Sequence, residues 1–150
     1  MIKIERTTYQ NEHFPGLVAK LDAYLSQTDG DEHEFYHQYN GIENLNQVVI
    51  AFINDVPVGC GAIKEFNPTS VEVKRMYVSP EIRGKGIATR ILTELEKWAA
   101  ESGYESCILE TGKRQPEAIA LYKKSNYQVI PNYGQYAGME NSVCFKKDLT

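Results

Sequence analysis

Excess basic charge is missing from this sequence: 16 lysines and arginines face 20 aspartates and glutamates, a formal net charge of -4. A protein built to lie along phosphate backbones needs the opposite balance, so no nucleic-acid partner is expected. Long apolar runs are missing too. None approaches the roughly 20 residues that span a bilayer, and the opening MIKIERTTY lacks the apolar core of a secretory signal, so no membrane partner is expected. Cysteine is scarce. Cys60, Cys107 and Cys144 are far apart, odd in number and form no C-x-x-C. Each lies in or beside an apolar run, where a free thiol behaves as a small buried hydrophobe. That usage suits a reducing compartment, and a cytoplasmic location is the expectation. Repeats, low-complexity tracts and linkers are also lacking, so residues 1–150 read as one domain. Its 42% hydrophobic and 24% charged residues can build a core without metal or disulfide staples.

What is present has a clear order. Residues 2–9 alternate apolar and polar, as a half-buried strand does. Phe14, Leu17, Val18, Leu21 and Leu25 recur at near-helical spacing, and residues 28–31 break that helix. Residues 32–40 predict a second, short helix ending at Asn40-Gly41. QVVIAFI (47–53), residues 56–66 and VEVKRMYV (71–78) predict three strands of an antiparallel meander. Asn54-Asp55 and residues 67–70 are its turns. Ser79-Pro80 ends the meander, because proline cannot join a ladder. Ile87, Ile91, Leu95 and Trp98 then mark a long amphipathic helix stopped by Gly103. A short buried strand (106–110), a helix opened by Pro116, and strands over 127–130 and 142–147 complete the chain. Asn126 falls where a left-handed C-cap belongs.

HEFYH, residues 33–37, matches the H-E-x-x-H of zinc proteases, in which two histidines four apart on a helix share a metal beside a catalytic glutamate. A third ligand would have to come from His13, Glu43 or Glu65, none on an obvious supporting element. A solvated helix carrying two histidines accounts for the spacing, and no metal is expected.

The informative stretch is VKRMYVSPEIRGKGIATRIL. A strand ends, a tight glycine-containing loop follows, and a helix begins. The first amides of a helix lack partners within it, and its dipole places positive potential there, so a phosphate or diphosphate suits the spot. Gly84, Gly86 and the small Ala88 allow close approach, while Arg83, Lys85 and Arg90 add cationic charge. A P-loop is excluded by the absence of G-x-x-x-x-G-K-S/T. A dinucleotide fingerprint fails at Thr89 and at the antiparallel strands that precede the loop.

Arg83, Gly86 and Ala88 match R/Q-x-x-G-x-G/A, the motif of the GNAT acetyltransferases. The sequence resembles that family over at least residues 47–130, including ILETGKRQPEAIALYKKSNY. The resemblance implies an α/β (α+β) GNAT fold, a mixed and mostly antiparallel sheet of about six to seven strands with helices on both faces and a splayed cofactor cleft. It implies acetyl-CoA as cofactor, with Arg83, Gly84, Lys85, Gly86, Ile87 and Ala88 at its diphosphate. Met76 and Val78 would pair with its pantetheine arm, and Gln115 would stand where many members have an asparagine. Tyr122 in ALYKKSNY matches the tyrosine that serves as general acid for the departing thiolate. A phenol, with pKa near ~10, still holds its proton at neutral pH. Glu72 stands where some members place a general base, or it pairs with a cross-strand lysine. Tyr36, Tyr39, Asn40, Tyr133 and Tyr136 would line the acceptor pocket, or are ordinary partly buried residues. The implied activity is direct acetyl transfer to a small primary amine in a ternary complex, with a non-catalytic CoA-binding regulator as the alternative. Homodimers are common in the family.

Overall fold

A computed structural model describes residues 1–29, 41–42 and 44–149. Seven strands form one sheet: β1 (Ile2–Thr7), β2 (Gln47–Ile53), β3 (Val56–Asn67), β4 (Ser70–Val78), β5 (Ser106–Gly112), β6 (Gln128–Ile130) and β7 (Ser142–Asp148). The helices among the described residues are α1 (Phe14–Asp29), α2 (Ile87–Glu101) and α3 (Pro116–Lys124). Sheet order is β1-β2-β3-β4-β5-β7-β6. The expected meander is present and gains β1 as a fourth antiparallel strand. Its first hairpin turns on Asn54 and Asp55, both left-handed (φ 50 and 69), a conformation these short polar side chains tolerate. Asn126 is likewise left-handed, at φ 73. The 3-10 turns Pro80–Ile82 and Gly134–Tyr136 occupy segments the sequence shows only as loops. The helix expected over 32–40 lies outside the described residues.

Each face of the sheet carries its own core. α2 buries Ile87, Ile91, Leu92, Leu95 and Ala99 on one face, where Val49, Val71, Val73, Leu109 and Phe145 meet them. Full burial of one such side chain contributes about 1.5–3 kcal/mol. Gly59 and Gly61 let that helix approach closely. A Cβ at Gly59 would lie 3.0 Å from Ile91 Cδ1, and one at Gly61 2.9 Å from Leu95 Cδ1. α1 packs on the opposite face, with Phe14, Leu17, Val18 and Leu21 against Val48, Ile50, Cys60, Ala62 and Tyr77.

Two features open the sheet at its centre. The parallel pairing of β4 with β5 is confined to Ser70↔Ser106, Val71↔Cys107 and Glu72↔Ile108, so the remainder of each strand runs free of the other. The second feature is a bulge in β4. Cys60 pairs with Tyr77 and Ala62 with Lys74, so Gly61 alone stands opposite Arg75 and Met76. Arg75 takes φ 59. A bulge bends its strand and increases the local twist, which carries the end of β4 away from β5. It also breaks the two-residue alternation. Val71 and Val73 face α2 and Tyr77 faces α1, while Arg75 joins Glu72 and Lys74 on the α1 face instead of following Val73.

Candidate active site

The gap between β4 and β5 continues as a cleft of about 500 Å³. One end is built from main chain. After Val78 the chain makes its 3-10 turn, and Arg83 follows in extended geometry with its Nε donating to Val78 O at 3.3 Å. Gly84 (φ 88) and Gly86 (φ 76) are left-handed, and Gly86 caps α2. The first bond into the helix runs from Arg90 N–H to Gly86 C=O at 3.1 Å, so the amides of Ile87, Ala88 and Thr89 precede the ladder. Left-handed glycines beside the unbonded first amides of a helix are a backbone pattern that favours an anion, and the helix dipole adds to it. Arg83, Gly84, Gly86, Ile87, Ala88 and Thr89 all line the cleft. Lys85 is exposed and lies outside that lining. The Arg83 guanidinium also sits 5.5 Å from the ring centre of Tyr24 on α1.

The middle of the cleft is the unpaired edge of β4, including Met76 and Val78, facing Gly112, Gln115 and Tyr122. Gln115 caps α3, and its Nε2 would lie 3.2 Å from a Cβ added at Gly112. Tyr122 is 5% exposed, with its ring held at 5.7 Å from that of Tyr127 and 5.9 Å from that of Phe145. Burial, aided by the charge of Glu110, pushes its hydroxyl pKa up, so the proton stays on at neutral pH.

The far end is built from side chains. Tyr133 Oη donates to Glu72 Oε2 at 2.6 Å, and Lys74 Nζ lies 3.7 Å from Glu72 Oε1. The lysine expected to pair with Glu72 from across the strand is Lys64, which stands opposite in register; the ion pair forms with Lys74 on the same strand. Tyr133 stacks edge-on with Tyr136 and Phe66, at 5.7 and 5.2 Å. Burial first, then neighbouring carboxylates, push the hydroxyl pKa values of Tyr133 and Tyr136 up, so both remain donors. Burial lowers the pKa of Lys74, with Glu72 opposing. Glu110 enters the lining from β5, and Leu21, Tyr24 and Leu25 from α1.

The family model described as "Acetyltransferase (GNAT) family" matches residues 10–127. The chain belongs to the GNAT acetyltransferase family. It is therefore an acetyltransferase that draws its acyl group from acetyl-CoA. An IAA acetyltransferase of Azospirillum brasilense is 32% identical over 135 residues, covering 89% of this chain and 88% of that protein. A Klebsiella pneumoniae structure assigned as an acyl-CoA N-acyltransferase superimposes with TM-score 0.83 at 30% identity, covering 100% and 99% of the two chains. A GNAT acetyltransferase of Elizabethkingia anophelis, solved with acetyl-CoA bound, shares the fold with TM-score 0.71 at 17% identity, covering 98% and 97%.

Of the GNAT residues expected from sequence, the cleft gathers Glu72, Met76, Val78, Arg83, Gly84, Gly86, Ile87, Ala88, Gln115, Tyr122 and Tyr136, with Tyr133 attached through Glu72. Tyr36, Tyr39 and Asn40, with the HEFYH stretch, lie outside the described residues. Among the described residues there is no metal-holding group of three or more His, Cys, Asp or Glu, and no helix long and apolar enough to cross a membrane. Sequence reasoning missed Lys74, Arg75, Glu110 and Tyr24. Adjacent cations inside VKRMYV, and a carboxylate closing the apolar run CILE, were the available signals.

Proposed function

We propose that this GNAT enzyme transfers the acetyl group directly to a primary amine of a small molecule, with donor and acceptor bound together. The observation that carries this reading is the arrangement along one cleft of an anion cradle, a protonated tyrosine and a carboxylate. The cradle suits the cofactor's diphosphate because two left-handed glycines and the unbonded first amides of α2 stand together at the cleft, where an anion is favoured. When bound there, acetyl-CoA supplies an acyl group activated as a thioester. Residues 83, 84 and 86–88 would hold its diphosphate, and the free backbone edge at Met76 and Val78 would hold its arm. Glu72 takes a proton from the acceptor ammonium. As the N–C bond formed and the C–S bond broke, the Tyr122 hydroxyl would give its proton to the leaving sulfur, and the second proton shed by the nitrogen as it becomes an amide would return to the Tyr122 phenolate.

Direct transfer is favoured over a cysteine relay by the state of the thiols. Burial pushes Cys60 and Cys107 up to about 12 and Cys144 up to about 11, and all three are buried. None offers a thiolate nucleophile near neutral pH.

Tyr122→Phe tests the reading. Loss of a general acid lowers kcat about 100-fold, while acetyl-CoA affinity, read by calorimetry, stays within about twofold. Unchanged turnover would remove Tyr122 from the mechanism. Acetyl-CoA binding with no thiol release across a broad amine panel would leave a CoA-binding regulator.

A further inference from the structure

A buried chain of contacts runs from α2 to Tyr122. Glu96 stands on the flank of the apolar stripe of α2, with its side chain 12% exposed. Its Oε2 accepts from the Tyr127 hydroxyl at 2.9 Å, and its Oε1 accepts from Lys147 Nζ on β7, also at 2.9 Å. The Lys147 ammonium lies 5.8 Å from the centre of the Tyr127 ring as well. Burial, with Cys107 and Glu96 nearby, pushes the Tyr127 hydroxyl pKa up, so it stays a donor.

Tyr127 in turn meets Tyr122. It is buried, its ring stands edge-on to that of Tyr122 at 5.7 Å, and its N–H donates to Tyr122 C=O at 3.0 Å. The other ring against Tyr122, that of Phe145 at 5.9 Å, is fixed in the sheet between Leu109 and Val129. Tyr127 lies outside that ladder, between α3 and β6 and directly after left-handed Asn126. Its hydroxyl tether supplies the anchorage that sheet pairing gives Phe145. Burying a carboxylate and an ammonium is a poor route to stability, because apolar side chains of similar volume often do as well. What the pair fixes is direction: a hydroxyl bonded to a carboxylate that is itself bonded to an ammonium has one preferred orientation. Glu96, Tyr127 and Lys147 are absent from the lining of the cleft, whereas Tyr122 belongs to it.

We propose that Tyr127 and Glu96 are positioning residues for Tyr122: the tether from α2 holds the Tyr127 ring, and that ring aims the Tyr122 hydroxyl at the departing sulfur. The proposal rests on the reading of Tyr122 as general acid. One helix then carries the proposed cradle at its first turn and, further along, the anchor of the acid, so donor and proton are referred to the same rigid element.

The test is thiol release from acetyl-CoA with leucinamide, phenethylamine and spermidine as acceptors, alongside acetyl-CoA calorimetry and circular dichroism. Tyr127→Phe keeps the ring and removes the tether. Misaiming an acid costs less than deleting it, so kcat falls about 10-fold while acetyl-CoA affinity stays within about twofold. Glu96→Leu behaves the same way. Glu96→Gln, which still offers the hydroxyl an acceptor, returns to within about threefold of wild type. In a Tyr122→Phe background the Tyr127→Phe change lowers kcat no further, because both act through one group. In cofactor-free protein carrying ring-labelled tyrosine, the NMR signal lost in Tyr122→Phe shifts in Glu96→Leu and keeps its place in Glu96→Gln. If Glu96→Leu fails to fold, Tyr127→Phe and Glu96→Gln carry the test. Unchanged kcat in Tyr127→Phe, or a full further loss on top of Tyr122→Phe, overturns the positioning role while Tyr122 keeps its own. Unchanged kcat in Tyr122→Phe alone overturns the acid assignment, and this proposal with it. No thiol release from these amines or a wider panel overturns amine acetylation itself, and the proposal falls with that reading.

Discussion

The two ends of the cleft are built by opposite means. At the proposed diphosphate end the main chain dominates: left-handed Gly84 and Gly86 and the opening amides of α2 stand together, and the nearby cations are exposed side chains. At the proposed acceptor end the groups on show are side chains: Glu72 held by Tyr133 and Lys74, and Arg75 held by Asp22. A main-chain cradle suits a ligand common to many relatives, because its geometry depends on few side chains. A site of paired, buried side chains can differ from one relative to the next without disturbing the fold. On the proposed reading, the donor end would be the part shared among relatives and the acceptor end the part free to differ.

The comparison breaks most sharply at Gly86. A Cβ there meets nothing within 4 Å, so space is no obstacle; the obstacle is φ 76. A β-branched residue in that conformation costs about 1–2 kcal/mol, and the chain relieves the strain by turning its amides away from the ligand. With one charge-assisted bond of about 1.5–3 kcal/mol also lost, Gly86→Val weakens acetyl-CoA binding about 100-fold by calorimetry. Wild-type affinity in that variant would show that the glycine conformation does not make the cradle.

At the other end, Tyr133→Phe keeps the ring packing on Tyr136 and Phe66 but removes the donor to Glu72. A hydrogen bond to a charged group is worth about 1.5–3 kcal/mol, so acceptor kcat/KM falls about 10-fold or more. Acetyl-CoA affinity holds within about a factor of 2, since the cradle is built on other elements. Equal losses at both ends would mean that the ends are not separable.

The same contrast decides what was legible in the sequence. Local chemistry writes the cradle: a strand, S-P, two glycines and a small residue before an amphipathic helix, all within residues 71–91. Strand periodicity and turn residues write the meander, and Asn54, Asp55 and Asn126 are left-handed as their short polar side chains allow. The acceptor end is written non-locally. Regular alternation through VKRMYV would send Arg75 to the α2 face with Val73. Only the pairing of Cys60 with Tyr77 and Ala62 with Lys74 reveals the bulge that turns it toward Asp22. Glu110 is likewise undistinguished until β5 parts from β4. A tertiary register, absent from any short window of residues, made both invisible.

Cys60 offers the finest test, because it supports the bulge from below. Its Sγ donates to Arg75 O at 3.3 Å, and it is fully buried. Cys60→Ala loses that weak bond and leaves a small cavity, destabilising the fold by about 1–2 kcal/mol near pH 7. The difference depends on pH in a calculable direction. Burial pushes the Cys60 thiol up to about 12, with the charge of Arg75 opposing. Below the unfolded thiol's pKa of about 8.5 both states hold the proton, and the thiol adds no pH dependence. Above it the unfolded chain releases the proton while the native chain keeps it. Native stability attributable to Cys60 then falls by about 1.4 kcal/mol per pH unit until the folded pKa is reached. Cys107 and Cys144 titrate in both proteins and cancel. Urea melts of wild type and Cys60→Ala should therefore converge near pH ~10, where the advantage of the thiol is spent. A stability difference constant from pH 7 to 10 would mean that this sulfur is not sealed beneath the bulge as its contacts require.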